Sequence, residues 1–251
     1  MKKIKRWIAV CCLLFAATLI PVDAQEAFII DDLHVSMEVH EDGGIDITET
    51  YVLNFTEAKH GFFRNIPTSY DMEWSVDGKL EKKSYYFPVS EVTCNRTCSL
   101  EGNADAVVVK LGDPDKTVYG EQKYEISYHV KTKDLDLSNH AQALYWNLAS
   151  GFDTQIRHLS YDIKMPKAFD ENAVFTYSGA FGETTTNLTH EVDQLHIKGE
   201  TGRLLLSNES ATIKVNLPNG YFIYPKPNTG EYSVRHTAVG GSFAVLEIRT
   251  G

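Results

Sequence analysis

Residues 60–67 contain the densest group of side chains that could bind a ligand. Arg64 carries a planar fork of N–H donors, which suits a carboxylate or a phosphate. His60 precedes it by four positions, and Gly61 would let a ligand approach the backbone closely. One interpretation therefore places Arg64 and His60 on a loop that faces a ligand, with two adjacent Phe side chains forming a wall.

The same segment also has a structural interpretation. Aromatic side chains beside a turn belong to a core more often than to the wall of a binding site, so Phe62 or Phe63 would be buried. Arg64 would then pair with a nearby acid such as Glu49 and fix the turn. The sequence leaves both interpretations open.

A second aromatic group lies at Leu144–Leu148. Tyr145 and Asn147 could form a platform for a sugar, because an aromatic ring stacks on the apolar face of a sugar while an amide bonds its hydroxyl groups. In a strand these two side chains point to one side and Trp146 points to the other. We expect Trp146 in the core of a sandwich, and in the structural alternative Asn147 bonds the backbone at the strand end.

Groups suited to catalysis are sparse. Glycoside hydrolysis needs two carboxylates at a set separation, and Glu38, Glu49 and Glu57 are the nearest candidates, although surface acids usually only solvate a face. The nine His residues contain neither a His-Glu-x-x-His motif nor close pairs, and the sequence has no Gly-x-Ser-x-Gly elbow. The sequence thus predicts a protein that is not an enzyme and that uses no cofactor or metal site.

The N-terminal residues 1–24 have the three parts of an export signal. A cationic start with Lys2, Lys3, Lys5 and Arg6 precedes an apolar run of about 14 residues, which is shorter than the roughly 20 of a spanning helix. Small side chains close to the end of this segment favour cleavage after Ala24. An uncleaved N-terminal anchor is the alternative. Either way we expect an exported protein, located at the extracytoplasmic face of the membrane or secreted.

Only two cysteines, Cys94 and Cys98, remain after removal of the signal. A close pair outside the cytoplasm is readily oxidised, and a small loop needs little chain movement to close. A zinc site would need two further ligands nearby, and a redox pair usually has two intervening residues. We therefore predict a structural disulfide that constrains a loop.

The charge balance argues against nucleic-acid binding. The chain of 251 residues has a formal net charge of −10, and removing residues 1–24 takes away four basic and one acidic residue, which leaves −13. A surface this acidic repels phosphate backbones, because binding them requires clustered cations.

Alternation of apolar and polar residues with period two predicts strands along most of the chain. Residues 28–40 and 45–55 alternate on either side of Glu41–Gly44, which indicates a hairpin. The other predicted strands are Tyr85–Val92, Ala106–Leu111, Lys123–Lys131, Ala143–Leu148, Ile156–Met165, Ala173–Tyr177, Gln194–Lys198 and Ala211–Leu217. We predict an all-β fold, an antiparallel β-sandwich of immunoglobulin-like type, which could comprise two β subdomains with a boundary at residues 133–142.

Several short motifs occur in the order found in one family. They are residues 45–51 with Phe55, 60–67, 124–128, 144–148 with Gly151, 163–166, and 212–218 with Gly220. Over about residues 28–222 the chain resembles the N-terminal domain of the YciQ-like predicted bacterial membrane proteins, known as domain of unknown function 2207. The resemblance implies a signal peptide, an extracytoplasmic β domain and then transmembrane helices, and it supplies no catalytic residues.

We accordingly divide the chain into a signal peptide at 1–24, an extracytoplasmic β-sandwich at 25–222 and a linker-like tail at 223–251. Nothing after Tyr224 is apolar enough to span a bilayer, so membrane attachment requires helices beyond residue 251 or an uncleaved signal. The predicted function is a non-catalytic binding, sensing or structural role at the cell envelope, with an extracytoplasmic protein or an envelope component as partner. The alternatives are a secreted cell-wall glycan hydrolase with paired carboxylates and a soluble secreted adhesin.

Overall fold

A computed structural model describes residues 26–76, 79–102, 105–133, 142–180, 182–183 and 185–225. The predicted signal, most of the predicted tail and the predicted boundary between 133 and 142 therefore lie outside the described residues. The described part is built almost entirely of strands, with one short 3-10 turn at Glu171–Ala173. The prediction of an all-β fold is confirmed.

The strands are numbered in the order in which they occur along the chain. They are β1 (Phe28–Val39), β2 (Gly44–Lys59), β3 (Phe62–Pro67), β4 (Ser69–Val76), β5 (Lys79–Tyr86), β6 (Val89–Cys94), β7 (Cys98–Gly102), β8 (Ala106–Leu111), β9 (Val118–Lys131), β10 (Gln142–Ala149), β11 (Leu159–Lys164), β12 (Val174–Gly179), β13 (Glu191–Asp193), β14 (His196–Glu200) and β15 (Ser210–Leu217).

One large sheet of seven strands, in the order β13-β14-β11-β1-β2-β9-β6, forms the first layer. Its neighbouring strands are antiparallel except for β1 and β11, which run parallel. This one parallel pair departs from the predicted antiparallel arrangement. It arises because β11 reaches β1 by a long connection through other strands, and parallel neighbours require such a crossover.

Strands β1 and β2 form an antiparallel hairpin, as the alternating pattern predicted. Inward residues such as Ile47 and Leu53 are almost fully buried, whereas the alternate residues Thr48, Thr50 and Val52 lie on the other face and are half-buried. Gly43 has a φ of 82°, which a non-glycine residue adopts only with strain, and the Asp42 carboxylate accepts a hydrogen bond from Gly44 N at 2.9 Å. The sequence Asp-Gly-Gly thus sets the turn that fixes the register of the two strands.

The second layer is made of smaller sheets, β10-β15-β12 and β3-β8-β7, with the β4–β5 hairpin beside them. Buried residues of all these sheets and of the large sheet belong to a single hydrophobic cluster. Ring contacts cross between layers, for example between Tyr51 of β2 and Phe62 of β3, whose centroids are 5.2 Å apart. The molecule is therefore a β-sandwich whose two layers share one core.

A disulfide joins Cys94 at the end of β6 to Cys98 at the start of β7, as the sequence predicted. Strand β6 is an edge of the large sheet, and β7 is an edge of the small sheet β3-β8-β7. The bond thus ties the two layers together at one margin of the sandwich.

Several local features differ from the strand prediction. The segment predicted as one strand at Tyr85–Val92 contains the end of β5, a break at Phe87–Pro88, and the start of β6. Proline lacks the N–H that a continuous strand would donate, which accounts for the break. Strands β4, β7 and β13 were not predicted, and residues 62–67, expected at a turn, form strand β3.

Candidate functional site

Strand β3 divides the predicted ligand-binding motif between the two faces of a sheet. Phe62, Arg64 and Ile66 point into the core and are almost fully buried, whereas Phe63 and Asn65 point outward and are exposed. Successive side chains of a strand point to opposite faces, so a strand cannot present the whole motif to one ligand. The inward and outward residues must therefore have separate roles.

Arg64 forms a buried ion pair with Glu49 of β2. Its Nε donates to Glu49 Oε2 and its Nη2 donates to Glu49 Oε1, each over 2.8 Å. This two-point geometry matches the planar guanidinium to the carboxylate, and both side chains are only 1% exposed. Because β2 and β3 belong to different layers, the pair links the two layers by charge.

Arg64 also binds the end of β10. Its Nη1 donates to the carbonyl oxygen of Ser150 at 2.9 Å and to that of Asn65 at 2.6 Å. The guanidinium lies over the ring of Phe152, 4.7 Å from the centroid. One side chain thus fixes the positions of the large sheet, β3 and the segment after β10 relative to one another.

Glu49 is further held by two tyrosines of the large sheet. Tyr51 donates a short hydrogen bond to Glu49 Oε2, and Tyr128 donates to Oε1 at 2.7 Å. Burial alone would raise the pKa of Glu49, but the charge and hydrogen bonds of Arg64, with those of the tyrosines, hold it below its usual value. Burial and the adjacent carboxylate raise the pKa of Tyr128 well above its usual value. The cluster is therefore a carboxylate, a guanidinium and two neutral phenols.

The prediction that Arg64 faces a ligand is wrong. Its inward position on β3 leaves it 1% exposed, and it forms four hydrogen bonds to protein groups. The structural alternative, pairing with Glu49, describes what is observed. The ion pair fixes a strand between two layers, however, and not a turn.

The three acids considered for glycoside hydrolysis are not brought together. Glu38 points to the solvent face of the large sheet and pairs with Lys164, whereas Glu49 points into the core. Glu57 is exposed near the end of β2 and pairs with Lys59. No two of these carboxylates face a common cleft.

The outward-facing residues of β3 line a groove. Phe63 is 61% exposed and borders two concavities, one of about 490 Å³ that extends toward Gly151–Asp153 and one of about 500 Å³ that extends toward Gly112–Pro114. We call these two concavities together the Phe63 groove. Its walls are mainly apolar, and His60 lies at its margin, where its Nδ1 is 3.1 Å from the carbonyl oxygen of Lys116.

Two glycines shape this groove. Gly61 has a φ of 134° and Gly112 a φ of 142°, a conformation that side chains rarely adopt. A Cβ on Gly61 would lie 1.7 Å from the carbonyl oxygen of Leu111, and one on Gly112 would lie 1.8 Å from that of His60. The close approach at Gly61 is therefore made by another segment of the chain and not by a ligand, as the sequence had suggested, and it brings two protein segments together at the base of the groove.

Tyr145 and Asn147 occupy a different surface, the outer face of the sheet β10-β15-β12. Both are half-buried, and Asn147 Oδ1 accepts a hydrogen bond from Thr212 at 2.8 Å. Trp146 points into the core, as predicted, and is 1% exposed. Binding by His60, Tyr145 or Asn147 remains a prediction, and the structure places His60 apart from the other two.

Several outward residues beside these candidates were not singled out in the sequence. Phe175 and Tyr177 of β12 and Lys214 of β15 lie on the same face as Tyr145. Alternation marks each as an outward residue of its own strand. Which strands become neighbours is decided by long-range pairing, so the sequence pattern alone could not group them.

No metal site is found among the residues that the structure describes, since no three His, Cys, Asp or Glu side chains are arranged to hold an ion. The described ranges also contain no helix with the length and apolar character required to cross a bilayer.

Comparison with known proteins identifies one family. Residues 29–245 match the family described as predicted membrane protein (DUF2207), N-terminal domain. No curated protein has significant sequence similarity to the chain.

Similar solved structures include an M1 zinc metallopeptidase from Deinococcus radiodurans, with a TM-score of 0.37, 9% identity, and coverage of 75% of this chain and 42% of that one. A proposed protease from Parabacteroides distasonis has a TM-score of 0.38, 9% identity, and coverage of 75% and 40%. The chain spans less than half the length of either protein. Similarity at this level does not transfer an activity.

Proposed function

The chain belongs to the family of predicted membrane proteins that share the DUF2207 N-terminal domain, and from this premise we propose that residues 25–222 form a non-catalytic, extracytoplasmic binding domain at the cell envelope. The binding surface is the Phe63 groove. Its partner is another extracytoplasmic protein or a component of the envelope.

The observation that carries this proposal is the exposure of Phe63 between two concavities. Aromatic residues that border pockets supply much of the affinity of many interfaces, and Phe63 lies between two concavities. The strand that carries the ring is also held in place, because Arg64 is bonded to Glu49 in the core and to Ser150 after β10. A preorganised aromatic group loses little conformational entropy on binding.

A non-catalytic role is supported by how the acidic groups are used. Glu49 is neutralised by Arg64 inside the core, and Glu38 and Glu57 are each paired with a lysine on the surface. Glycoside hydrolysis by two carboxylates would need a pair that faces one open cleft.

The groove lies far from the C-terminal end of the domain. Ile223 N donates to the carbonyl oxygen of Glu41 in the β1–β2 turn, whereas Lys59 at the groove lies at the other end of β2. At about 3.3 Å per residue, the 16 residues of β2 separate these ends by roughly 50 Å. If membrane helices follow the chain, as in the family, the groove faces away from the bilayer.

Site-specific photo-crosslinking in cells tests the proposal. A photoreactive phenylalanine analogue placed at position 63 of the full chain should give a discrete crosslinked product in the envelope fraction. The same analogue at Ile223, which is 67% exposed and lies at the opposite end of the sandwich, serves as the matched control and should not give that product. Identical patterns from both positions, or products only with cytoplasmic proteins, would refute the proposal.

The alternative function, hydrolysis of cell-wall glycan, is tested separately. The purified chain is incubated with isolated cell-wall sacculi, and release of soluble sugar fragments is measured. We expect no release above that of the buffer. Turnover by the wild-type chain would show a hydrolase and overturn the non-catalytic assignment, whatever the crosslinking result.

A further inference from the structure

His158 lies where three strands of the large sheet meet. It directly precedes β11, and its carbonyl oxygen accepts a hydrogen bond from Leu33 N of β1 at 3.0 Å. The next residue, Leu159, is joined to Thr201 at the end of β14. Its carbonyl oxygen accepts from Thr201 N at 2.8 Å, and its N–H donates to Thr201 Oγ1 at 3.1 Å. The start of β11 is therefore held between β1 on one side and β14 on the other.

The imidazole of His158 faces a carboxylate with each of its two ring nitrogens. Nδ1 lies 2.5 Å from Oδ1 of Asp32 on β1, and Nε2 lies 3.3 Å from Oε2 of Glu200 on β14. One side chain thus spans three adjacent strands. The other histidines that contact a carboxylate in the described part of the chain do so through a single nitrogen, namely His40, His129 and His196.

Both contacts of His158 can form together only when the ring is protonated. A neutral imidazole has one N–H donor and one acceptor nitrogen, whereas the imidazolium donates from both nitrogens. After loss of the proton, one nitrogen would direct a lone pair at a carboxylate, so an attractive contact would become repulsive. Protonation therefore decides whether the ring joins β11 to both of its neighbours or to one of them.

The other charged side chains around this junction are paired with one another. Arg157 Nη1 lies 2.5 Å from Oδ1 of Asp31, and Lys198 Nζ lies 3.8 Å from Oδ2 of Asp162. The carboxylates of Asp32 and Glu200 are thus left to the imidazole of His158.

These two carboxylates favour the charged form of the ring. The hydrogen bond with Asp32 is the main cause that raises the pKa of His158 above its usual value. Partial burial acts in the opposite direction, and the hydrogen bond with Glu200 adds to the effect of Asp32. The folded chain therefore keeps this proton to a higher pH than the unfolded chain does.

From this geometry we infer that His158 is a pH-sensitive latch, which joins the start of β11 to both β1 and β14 when protonated and releases one of them when the proton is lost. Because the pKa is raised on folding, the stabilisation is fully present below the pKa of the unfolded chain. It is lost as the pH rises through the higher pKa of the folded chain. The latch does not depend on the function proposed for the Phe63 groove.

Titration of the histidine rings in the purified chain, followed by nuclear magnetic resonance of their Cε1–H groups, tests the charge state. The His158 signal should titrate at a higher pH than an ordinary histidine. Asp32→Asn and Glu200→Gln should each lower its midpoint, and Asp32→Asn should lower it more because the contact with Asp32 is shorter. The His129 signal, whose partner is Asp46, should keep its midpoint in both variants.

Hydrogen exchange of the Leu33 amide, which donates to the carbonyl oxygen of His158, tests the latch itself. At about pH 5.5 this amide should exchange about two- to fivefold more slowly in the wild type than in His158→Gln, the effect expected of an exposed charge pair. At about pH 9 the two rates should be nearly equal, because neither side chain is then charged. His129→Gln, which replaces a histidine of β9 whose partner lies on β2, is the matched control and should leave Leu33 exchange unchanged at both pH values.

Two results would overturn the inference. One is a His158 midpoint at or below that of an ordinary histidine, or one that neither carboxylate variant changes. The other is a ratio of Leu33 exchange rates, wild type to His158→Gln, that is the same at both pH values. If His158→Gln does not fold, the midpoints in the wild type and in Glu200→Gln decide, since Glu200 is exposed. Phe63→Ala should alter neither measurement, so the latch and the groove can fail independently.

Discussion

At the scale of single residues, Glu49 is the point at which charge holds the two layers together. It lies at an inward position of β2, between the apolar residues Ile47 and Tyr51, where a lone carboxylate would be strongly unfavourable. Arg64, Tyr51 and Tyr128 satisfy both of its oxygens. Removal of one partner of such a buried pair is strongly unfavourable, because the other charge is left in the core without its counter-charge.

We predict that Glu49→Gln lowers the free energy of unfolding by about 3–5 kcal/mol, because it leaves the Arg64 guanidinium buried without a counter-charge. Urea denaturation followed by circular dichroism measures the change. Glu125→Gln, at an exposed position of β9, is the matched control and should change stability by less than about 0.5 kcal/mol.

The double variant Glu49→Leu with Arg64→Met removes both charges. It should be more stable than Glu49→Gln, since no uncompensated charge remains in the core. A single variant as stable as the wild type would show that the pair is not energetically important.

At the scale of elements, the disulfide connects two edge strands that belong to different sheets. Strands β6 and β7 are joined by a short loop, and the bond between Cys94 and Cys98 closes it. Its effect comes mainly from restricting the unfolded chain, and a loop this short restricts it only modestly.

We therefore predict that Cys94→Ala with Cys98→Ala lowers the free energy of unfolding by about 2 kcal/mol and leaves the fold intact. The same loss should follow reduction of the wild-type chain with a thiol, and the double variant should not respond to the reductant. A wild-type chain that unfolds at the same urea concentration with and without reductant would contradict this prediction.

At the scale of the whole molecule, the long strands place the groove and the C-terminal end at opposite ends of the sandwich. Tyr119 is near the groove end of β9, and Ile223 is bonded to the β1–β2 turn at the other end. Both side chains are exposed, so labels can be attached there without disturbing the core.

We predict that dyes attached to Tyr119→Cys and Ile223→Cys are separated by about 40 Å, the length of the intervening part of β9. Förster transfer in the purified chain measures this distance. Labels on Glu41→Cys and Ile223→Cys provide the short reference, because these positions are joined by a backbone hydrogen bond. Equal transfer efficiency for both pairs would contradict the topology.

The sequence by itself determined the all-β class, the β1–β2 hairpin, the close cysteine pair and the inward direction of Trp146. These features depend on local causes, namely side-chain alternation with period two, turn residues and short separation along the chain. The pairing of Arg64 with Glu49 was also foreseen as one of two alternatives.

Only the tertiary structure decided which alternative holds for Arg64 and which outward residues share a surface. Alternation specifies the two sides of a strand, but the side that becomes buried and the strand that becomes its neighbour depend on packing between segments far apart in sequence. Phe175 and Lys214 therefore join Tyr145 on one face only after β12 and β15 have paired. Their grouping depends on the order of strands in the sheet, and this order cannot be inferred from any one segment of the sequence.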